Sequence, residues 1–251
     1  MTPQLVLAGR VATLRLDAPE RRNAIGPDDV RALLDAFTRV EREPGLRVLV
    51  IEATGSVFCA GYDLRALAQE LRGDGPSMAE RAFPEAIDKL ERLPIPTICV
   101  MRGAAYGGGV DLALACDFRL GTRRASILVP AARFGLSFYS GGLRRCVERL
   151  GLETAKRIFL LADTIDAPEL MRLGYLCEIV ADADMSARVE ELIERLAAND
   201  EGAVAELKRS LAAIGRGDPD VEAIDEAFVK SFATPTTASR LGGKPERSEA
   251  H

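Results

Sequence analysis

Histidine is almost missing from this sequence: the single one among 251 residues is His251, the last. That excludes a Ser-His-Asp triad and a multi-histidine metal site. Asp and Glu do not cluster at ligand spacing either, so no metal is expected. Chemistry therefore has to come from carboxylates, hydroxyls, tyrosines or backbone amides. C-x-x-C pairs are lacking too. The five cysteines (Cys59, Cys99, Cys116, Cys146, Cys177) are odd in number and each stands among apolar neighbours, which predicts buried, reduced thiols. Basic charge is in deficit, with 33 Lys and Arg against 38 Asp and Glu and a net charge of −5, so a nucleic-acid groove is excluded. No apolar run reaches membrane-spanning length, and Met1 to Leu16 carries charges where a signal peptide would be continuously apolar. The expectation is a cytoplasmic protein with no membrane partner.

Hydrophobic residues make up 47% and charged residues 28% of the chain, the profile of a soluble globular protein. The length suits one large domain or a domain with a helical appendage. Two β-rich runs, Gln4 to Leu7 and Val11 to Leu16, flank Gly9-Arg10 as a hairpin. Pro27 then stands at a first helical position, Asp28 and Asp29 suit the helix dipole, and Val30, Leu33, Leu34, Phe37 and Val40 form an apolar stripe. Arg47 to Ile51 and Thr97 to Met101 read as strands buried on both faces. Between them come a helix from Leu64 to Leu71, a break at Gly73 to Pro76 and a helix from Ala79 to Leu93. A third strand, Phe118 to Gly121, follows a short helix. This alternation predicts an α/β fold of stacked strand–helix units. Beyond it the periodicity is helical: Leu143 to Leu150, Thr154 to Leu161, Ala167 to Leu173, Met185 to Ala197, Val204 to Ile214 and Val221 to Phe232. Residues 242–251 are polar and read as a frayed tail.

Two stretches carry chemistry. Phe58-Cys59-Ala60-Gly61-Tyr62-Asp63-Leu64 joins a strand to a helix, where outward-pointing amides can donate to an anion or a polarised carbonyl. The bland alternative is a turn with Asp63 as helix cap. Gly103-Ala104-Ala105-Tyr106-Gly107-Gly108-Gly109-Val110-Asp111-Leu112-Ala113-Leu114-Ala115-Cys116-Asp117 repeats the strand, turn and helix, with three successive glycines where a ligand can approach the backbone. A phosphate loop is ruled out, since no Gly-Lys-Ser/Thr follows, and the dinucleotide spacing G-x-G-x-x-G is absent.

Together, about fifty residues apart, these stretches resemble the "F-x-A-G-x-D-L" and "G-x-x-x-G-G-G-x-E/D-L-A-L-A-C-D" segments of the crotonase (enoyl-CoA hydratase/isomerase) superfamily. Asp17-Ala18-Pro19-Glu20-Arg21-Arg22-Asn23-Ala24 is similar to that family's "P-x-x-x-N-A" loop, Leu93-Pro94-Ile95-Pro96-Thr97 to its "P-K-P-T/V" segment, and Leu173-Gly174-Tyr175-Leu176 to its "G-L-V" segment. The resemblance covers Leu5 to Val180. It implies a crotonase-like spiral of stacked ββα units with a C-terminal helical region: an acyl-CoA-binding core over 1–180, a helical oligomerisation region over 181–241, and the tail.

By that resemblance the amides of Tyr62 and Gly108 form an oxyanion hole for a thioester carbonyl, each donor being worth about 3 kcal/mol in the transition state. Arg22, Ala24, Ala60, Asp63 and Leu64 fall where coenzyme A is gripped, with Gly107, Ala131 and Tyr139 at the acyl side. Arg22 reads equally as an ordinary surface cation. Asp111 matches the first acid/base carboxylate, usually Glu; the alternative is a cap on its own helix. The second carboxylate is missing: Ile127 to Leu136 aligns with "F-x-x-P-E-x-x-x-G-L" and puts Ala131 at the glutamate. Losing one proton-transfer partner typically lowers the rate by about two to four orders of magnitude. Tyr62, Tyr106, Arg133, Tyr139 and Ser140 are the other candidate groups.

The expected activity is enoyl-CoA hydratase- or isomerase-like, a lyase or isomerase reaction of the kind used in fatty acid metabolism. Decarboxylation, carbon–carbon cleavage or thioester hydrolysis on the same enolate is an alternative, as is acyl-CoA binding without turnover. The partner implied is an acyl-CoA thioester, with coenzyme A entering as part of the substrate and no separate cofactor. Assembly as a homotrimer or a dimer of trimers is implied through Met185 to Phe232.

Overall fold

The computed structural model describes residues 2–70, 72–73 and 78–242. The expected break at Gly73 to Pro76 lies outside the described residues from Asp74 onward, as does the tail from residue 243. In chain order the elements are β1 (Gln4–Ala8), β2 (Val11–Leu16), α1 (Pro27–Arg42), β3 (Val48–Ala53), β4 (Val57–Cys59), α2 (Leu64–Glu70), α3 (Met78–Arg92), β5 (Thr97–Met101) and β6 (Ala104–Tyr106). Then follow α4 (Gly108–Ala115), β7 (Phe118–Gly121), β8 (Ser126–Leu128), α5 (Ser140–Leu150), α6 (Leu152–Lys156), β9 (Ile165–Asp166), α7 (Ala167–Arg172) and β10 (Glu178–Ile179). Four helices close the described chain: α8 (Met185–Ala197), α9 (Glu201–Gly215), α10 (Val221–Ser231) and α11 (Pro235–Gly242).

The strands form two sheets. The larger runs β1-β2-β3-β5-β7-β10, antiparallel only at the β1–β2 hairpin, and the smaller runs β4-β6-β8-β9. Three strands of the larger sheet are each followed by a short one in the second sheet and then by helix: β3-β4-α2, β5-β6-α4 and β7-β8-α5. These are the stacked ββα units that the resemblance implied.

Both faces of the large sheet are covered, which is why its strands are continuously apolar. On one face Leu49 and Ile51 of β3 meet Leu33 and Phe37 of α1 and Ile87 and Leu90 of α3 in the main core. On the other, Val48 and Val50 join Ile98, Val100 and Leu120 under Val189, Leu192 and Leu196 of α8. Side chains alternate along a strand, so a single run feeds two cores.

The structure departs from the sequence reading in several places. The three-residue strands β4, β6 and β8 are not among the expected separate strands, and α11 adds a helix after Phe232. The helix expected over Thr154 to Leu161 is α6 followed by a π-helical turn at Arg157–Leu161. Cys177, expected to be buried, is exposed beside the two-residue edge strand β10, while the other four thiols are buried. Among the described residues no helix is long and apolar enough to cross a membrane.

Candidate active site

The two motif stretches fold as consecutive strand-to-helix turns pressed against each other. In the first, between β4 and α2, Ile25 N donates to Gly61 O and Asp63 N donates to Ile25 O, each at 2.8 Å. A parallel bridge of this kind leaves the amide of the middle residue, Tyr62, directed away from Ile25. In the second, Gly107 N donates to Leu128 O at 2.9 Å and Gly108 opens α4 in a first turn whose amides have no carbonyl partner within the helix. The approach of the turns is backbone on backbone. A Cβ at Gly61, where φ is +82°, would stand 2.6 Å from Tyr106 O and 3.2 Å from Gly108 N. Only glycine permits both the left-handed backbone and that contact.

Asn23 fixes the first turn from behind. Its Oδ1 accepts from Ala18 N at 2.8 Å, and its Nδ2 donates to Thr54 O and Val57 O at 2.9 Å. Asp63 does cap α2, its Oδ1 accepting from Arg65 N at 2.8 Å.

The turns open onto two adjoining concavities. A pocket of about 210 Å³ is lined by Tyr62, Tyr106, Gly107, Gly108, Ala131 and Tyr139, with Phe83, Phe134 and Phe138 completing its apolar wall. A cleft of about 390 Å³ is lined by Arg21, Arg22, Ala24, Asp63, Leu64 and Arg65. Ala60, Tyr62 and Leu64 line both, so the two adjoin. A larger cavity of about 530 Å³ lies under α9 against Phe118, Arg119 and Leu211, and none of Tyr62, Gly108, Asp111 and Tyr139 lines it. Size alone would pick the wrong place; the convergent amides identify the site.

Asp111, from α4, is held behind the pocket rather than on its wall. It does not cap its own helix. Arg145 Nε donates to its Oδ1 at 2.9 Å and Arg145 Nη2 to its Oδ2 at 2.8 Å, and the Tyr139 hydroxyl donates to the same Oδ2. Tyr139 thus stands between the carboxylate and the pocket. Burial, and then the Asp111 charge beside it, hold its phenol well above the ordinary value of 10. It stays protonated at neutral pH.

Arg145 is fully enclosed and is shared among three carboxylates, since its Nη1 also donates to Asp88 at 2.7 Å and Glu91 at 3.0 Å. Burial alone would lower its pKa, but the bonds to Asp111 and Asp88 outweigh that and raise it. The helix that carries Arg145 reaches Asp111 because its first turn is Ser140-Gly141-Gly142. A Cβ at Gly142 would lie 2.3 Å from the Phe138 ring and 3.2 Å from Asp111 Oδ2.

Sequence reasoning missed Arg145, Asp88, Glu91 and Phe83. The available signal was the glycine pair Gly141 and Gly142, just ahead of the helix expected from Leu143. Arg133, a candidate for the acyl group, instead donates to Ala162 O at 2.7 Å. Burial pushes the Cys59 and Cys146 thiols up to about 12, so neither supplies a thiolate nucleophile at neutral pH.

The network makes stability acid-sensitive. Burial raises the Glu91 pKa, but Arg145, Arg144 and Arg149 together take it below 4.5. A depressed carboxylate contributes stability that is complete above its unfolded value and is lost as pH falls through the folded one. The unfolding free energy of the wild type minus that of Glu91→Gln, from urea titrations, should therefore be constant above about pH 5 and shrink toward about pH 3. A difference unchanged over that range would contradict the ion-pair assignment.

The enoyl-CoA hydratase/isomerase family profile matches residues 7–238. A crotonyl-CoA hydratase of Syntrophomonas wolfei is 29% identical over 235 residues, which cover 90% of this chain and 87% of that protein. A carnitinyl-CoA dehydratase of Proteus mirabilis is 32% identical over 206 residues, covering 81% and 77% respectively. Among solved structures, an enoyl-CoA hydratase/carnithine racemase from Magnetospirillum magneticum superposes with a TM-score of 0.89 at 26% identity, covering 98% of this chain and 94% of that one. With its stacked ββα units and paired turns, the chain belongs to the enoyl-CoA hydratase/isomerase family of the crotonase superfamily.

Proposed function

We propose that the protein binds an acyl-CoA thioester and stabilises its enolate in a hydratase- or isomerase-type reaction. The observation that carries this reading is the backbone contact of the Gly61 and Gly108 turns at the floor of a pocket. The thioester oxygen would sit between the amides of Tyr62 and Gly108, with the acyl group toward Tyr139 and Ala131. Coenzyme A would lie along the cleft of Arg22, Ala24, Ala60, Asp63 and Leu64, where Arg22 and Arg65 offer cations for its phosphates. Donors aimed at a developing oxyanion make Cα acidic and Cβ electrophilic, and each is worth about 3 kcal/mol.

Proton transfer would run through the Tyr139–Asp111 pair. In hydration the water oxygen adds to Cβ and the water passes one proton to the Tyr139 oxygen as the phenol gives its own to Asp111. Cα then takes a proton back along the same route, so the pair ends unchanged. Arg145 holds Asp111 aimed at the hydroxyl through two bonds. With Ala131 at the second carboxylate position, this pair would be the acid/base machinery.

Crotonyl-CoA should lose its conjugated thioester absorbance when mixed with the protein. Asp111→Ala and Tyr139→Phe should each lower kcat by about 10² to 10⁴ while calorimetry shows binding retained. Binding by the wild type with no turnover would sink hydration, leaving decarboxylation, cleavage or hydrolysis on the same enolate, or binding without turnover.

Exposed Leu207 and Leu211 on α9 and Val229 on α10, with Phe228 and Phe232 in edge contact, support assembly through the C-terminal helices as a homotrimer or a dimer of trimers. Light scattering should give three or six chain masses. A single chain mass at micromolar concentration would contradict it.

A further inference from the structure

Among the described residues no charged side chain lines the acyl pocket. Its polar groups are the hydroxyls of Tyr62, Tyr106, Ser137 and Tyr139 and the turn amides, and none of its lining residues is Arg, Lys, Asp or Glu. Arg65, beside Leu64, lines the neighbouring cleft and not this pocket, and the two cations on the Tyr139 side are committed elsewhere. Arg133 donates to the Ala162 carbonyl, and Arg145 is enclosed by Asp111, Asp88 and Glu91. Asp111 in turn is covered by Tyr139 and neutralised by Arg145. A carboxylate on the acyl group would leave water here and find no cationic partner among the described lining residues, which is strongly unfavourable.

The pocket does hold aromatic faces and edges in succession. Tyr62 meets Phe83 edge-on at 6.2 Å between centroids, and Phe83 meets Tyr139 in the same way at 6.0 Å. Phe138 stacks on Tyr139 at 4.7 Å. Phe83 is fixed in place over the oxyanion turn, its ring carbon 2.7 Å from where a Gly108 Cβ would be. At the mouth Phe134 is 60% and Leu136 38% exposed, large apolar side chains that an acyl group would cover. A flat ring entering between such edges gains contacts beyond the area it buries.

From this we propose, on the basis of the acyl-CoA reading above, that the substrate class is an uncharged acyl thioester bearing an aryl group, and that dicarboxylic acyl groups are rejected. Ala131 contributes twice: it supplies no acid, and its small side chain leaves the apolar wall of Pro130, Phe134 and Leu136 open to the acyl group.

The test is calorimetric titration of the full chain with four unreactive ligands: free coenzyme A, butyryl-CoA, succinyl-CoA and 3-phenylpropionyl-CoA. The phenylpropionyl thioester should bind about tenfold tighter than butyryl-CoA, and succinyl-CoA about tenfold weaker. Leu136→Arg, which puts a cation at the exposed mouth, should bring succinyl-CoA level with butyryl-CoA or better. If free coenzyme A binds but succinyl-CoA matches butyryl-CoA in the wild type, or the aryl thioester gains nothing, the specificity is overturned and the coenzyme A reading survives. If none of the four binds, the coenzyme A reading fails and the proposal with it.

Discussion

Everything at this site depends on two turns that touch through their backbones. Gly61 meets the carbonyl of Tyr106 and the amide of Gly108 at distances that a single methyl group would abolish. That contact is possible because β4 and β6 are adjacent parallel strands, so the turns leaving them emerge side by side and carry two helix starts to the same point. The ββα repeat is thus a device for aligning backbone donors. Donors fixed by a fold need no reorganisation as charge develops, which is the reason backbone amides serve this purpose well.

Behind the donors lies a second constraint, the buried guanidinium of Arg145. One cation against three carboxylates is stable only when every N–H and oxygen finds a partner. Here Asp111 receives two bonds from Arg145 and one from Tyr139, while Arg144 Nη2 adds a bond to Glu91 at 2.5 Å. The arrangement ties α3, α4 and α5 together and turns a carboxylate that could not itself reach the pocket into the partner of a phenol that does. It also leaves Asp111 and Arg145 paired with each other behind the pocket, so positioning of the proposed acid/base pair and the neutrality of the wall among the described residues follow from the same interaction.

Much of this could be read before folding. The large-sheet strands announced themselves by uninterrupted apolar runs such as Val48 to Ile51, because burial on both faces leaves no polar alternation. Phe58 to Leu64 and Gly103 to Asp117 were legible because glycine spacing reports backbone approach directly. The strands β4, β6 and β8 were not, since three residues are too few to show a period. Arg145 was hidden for a different reason. It sits in an amphipathic helix rich in arginine, where Arg144, Arg145 and Arg149 look alike, and only packing decides which is buried. Asp111 was visible, but its locked partners were not, because contacts across 28 and 34 residues leave no local signal.

The most direct measurement of the central claim is isotope-edited infrared spectroscopy of butyryl-CoA carrying a ¹³C thioester carbonyl, free and saturated with the protein. Two amide donors converging on the oxygen lower the carbonyl stretch on binding, and Gly61→Ala, which forces the turns apart, returns it toward the free value. A saturated complex whose carbonyl stretch is the same as in free ligand would contradict the assignment of the Tyr62 and Gly108 amides as the oxyanion hole.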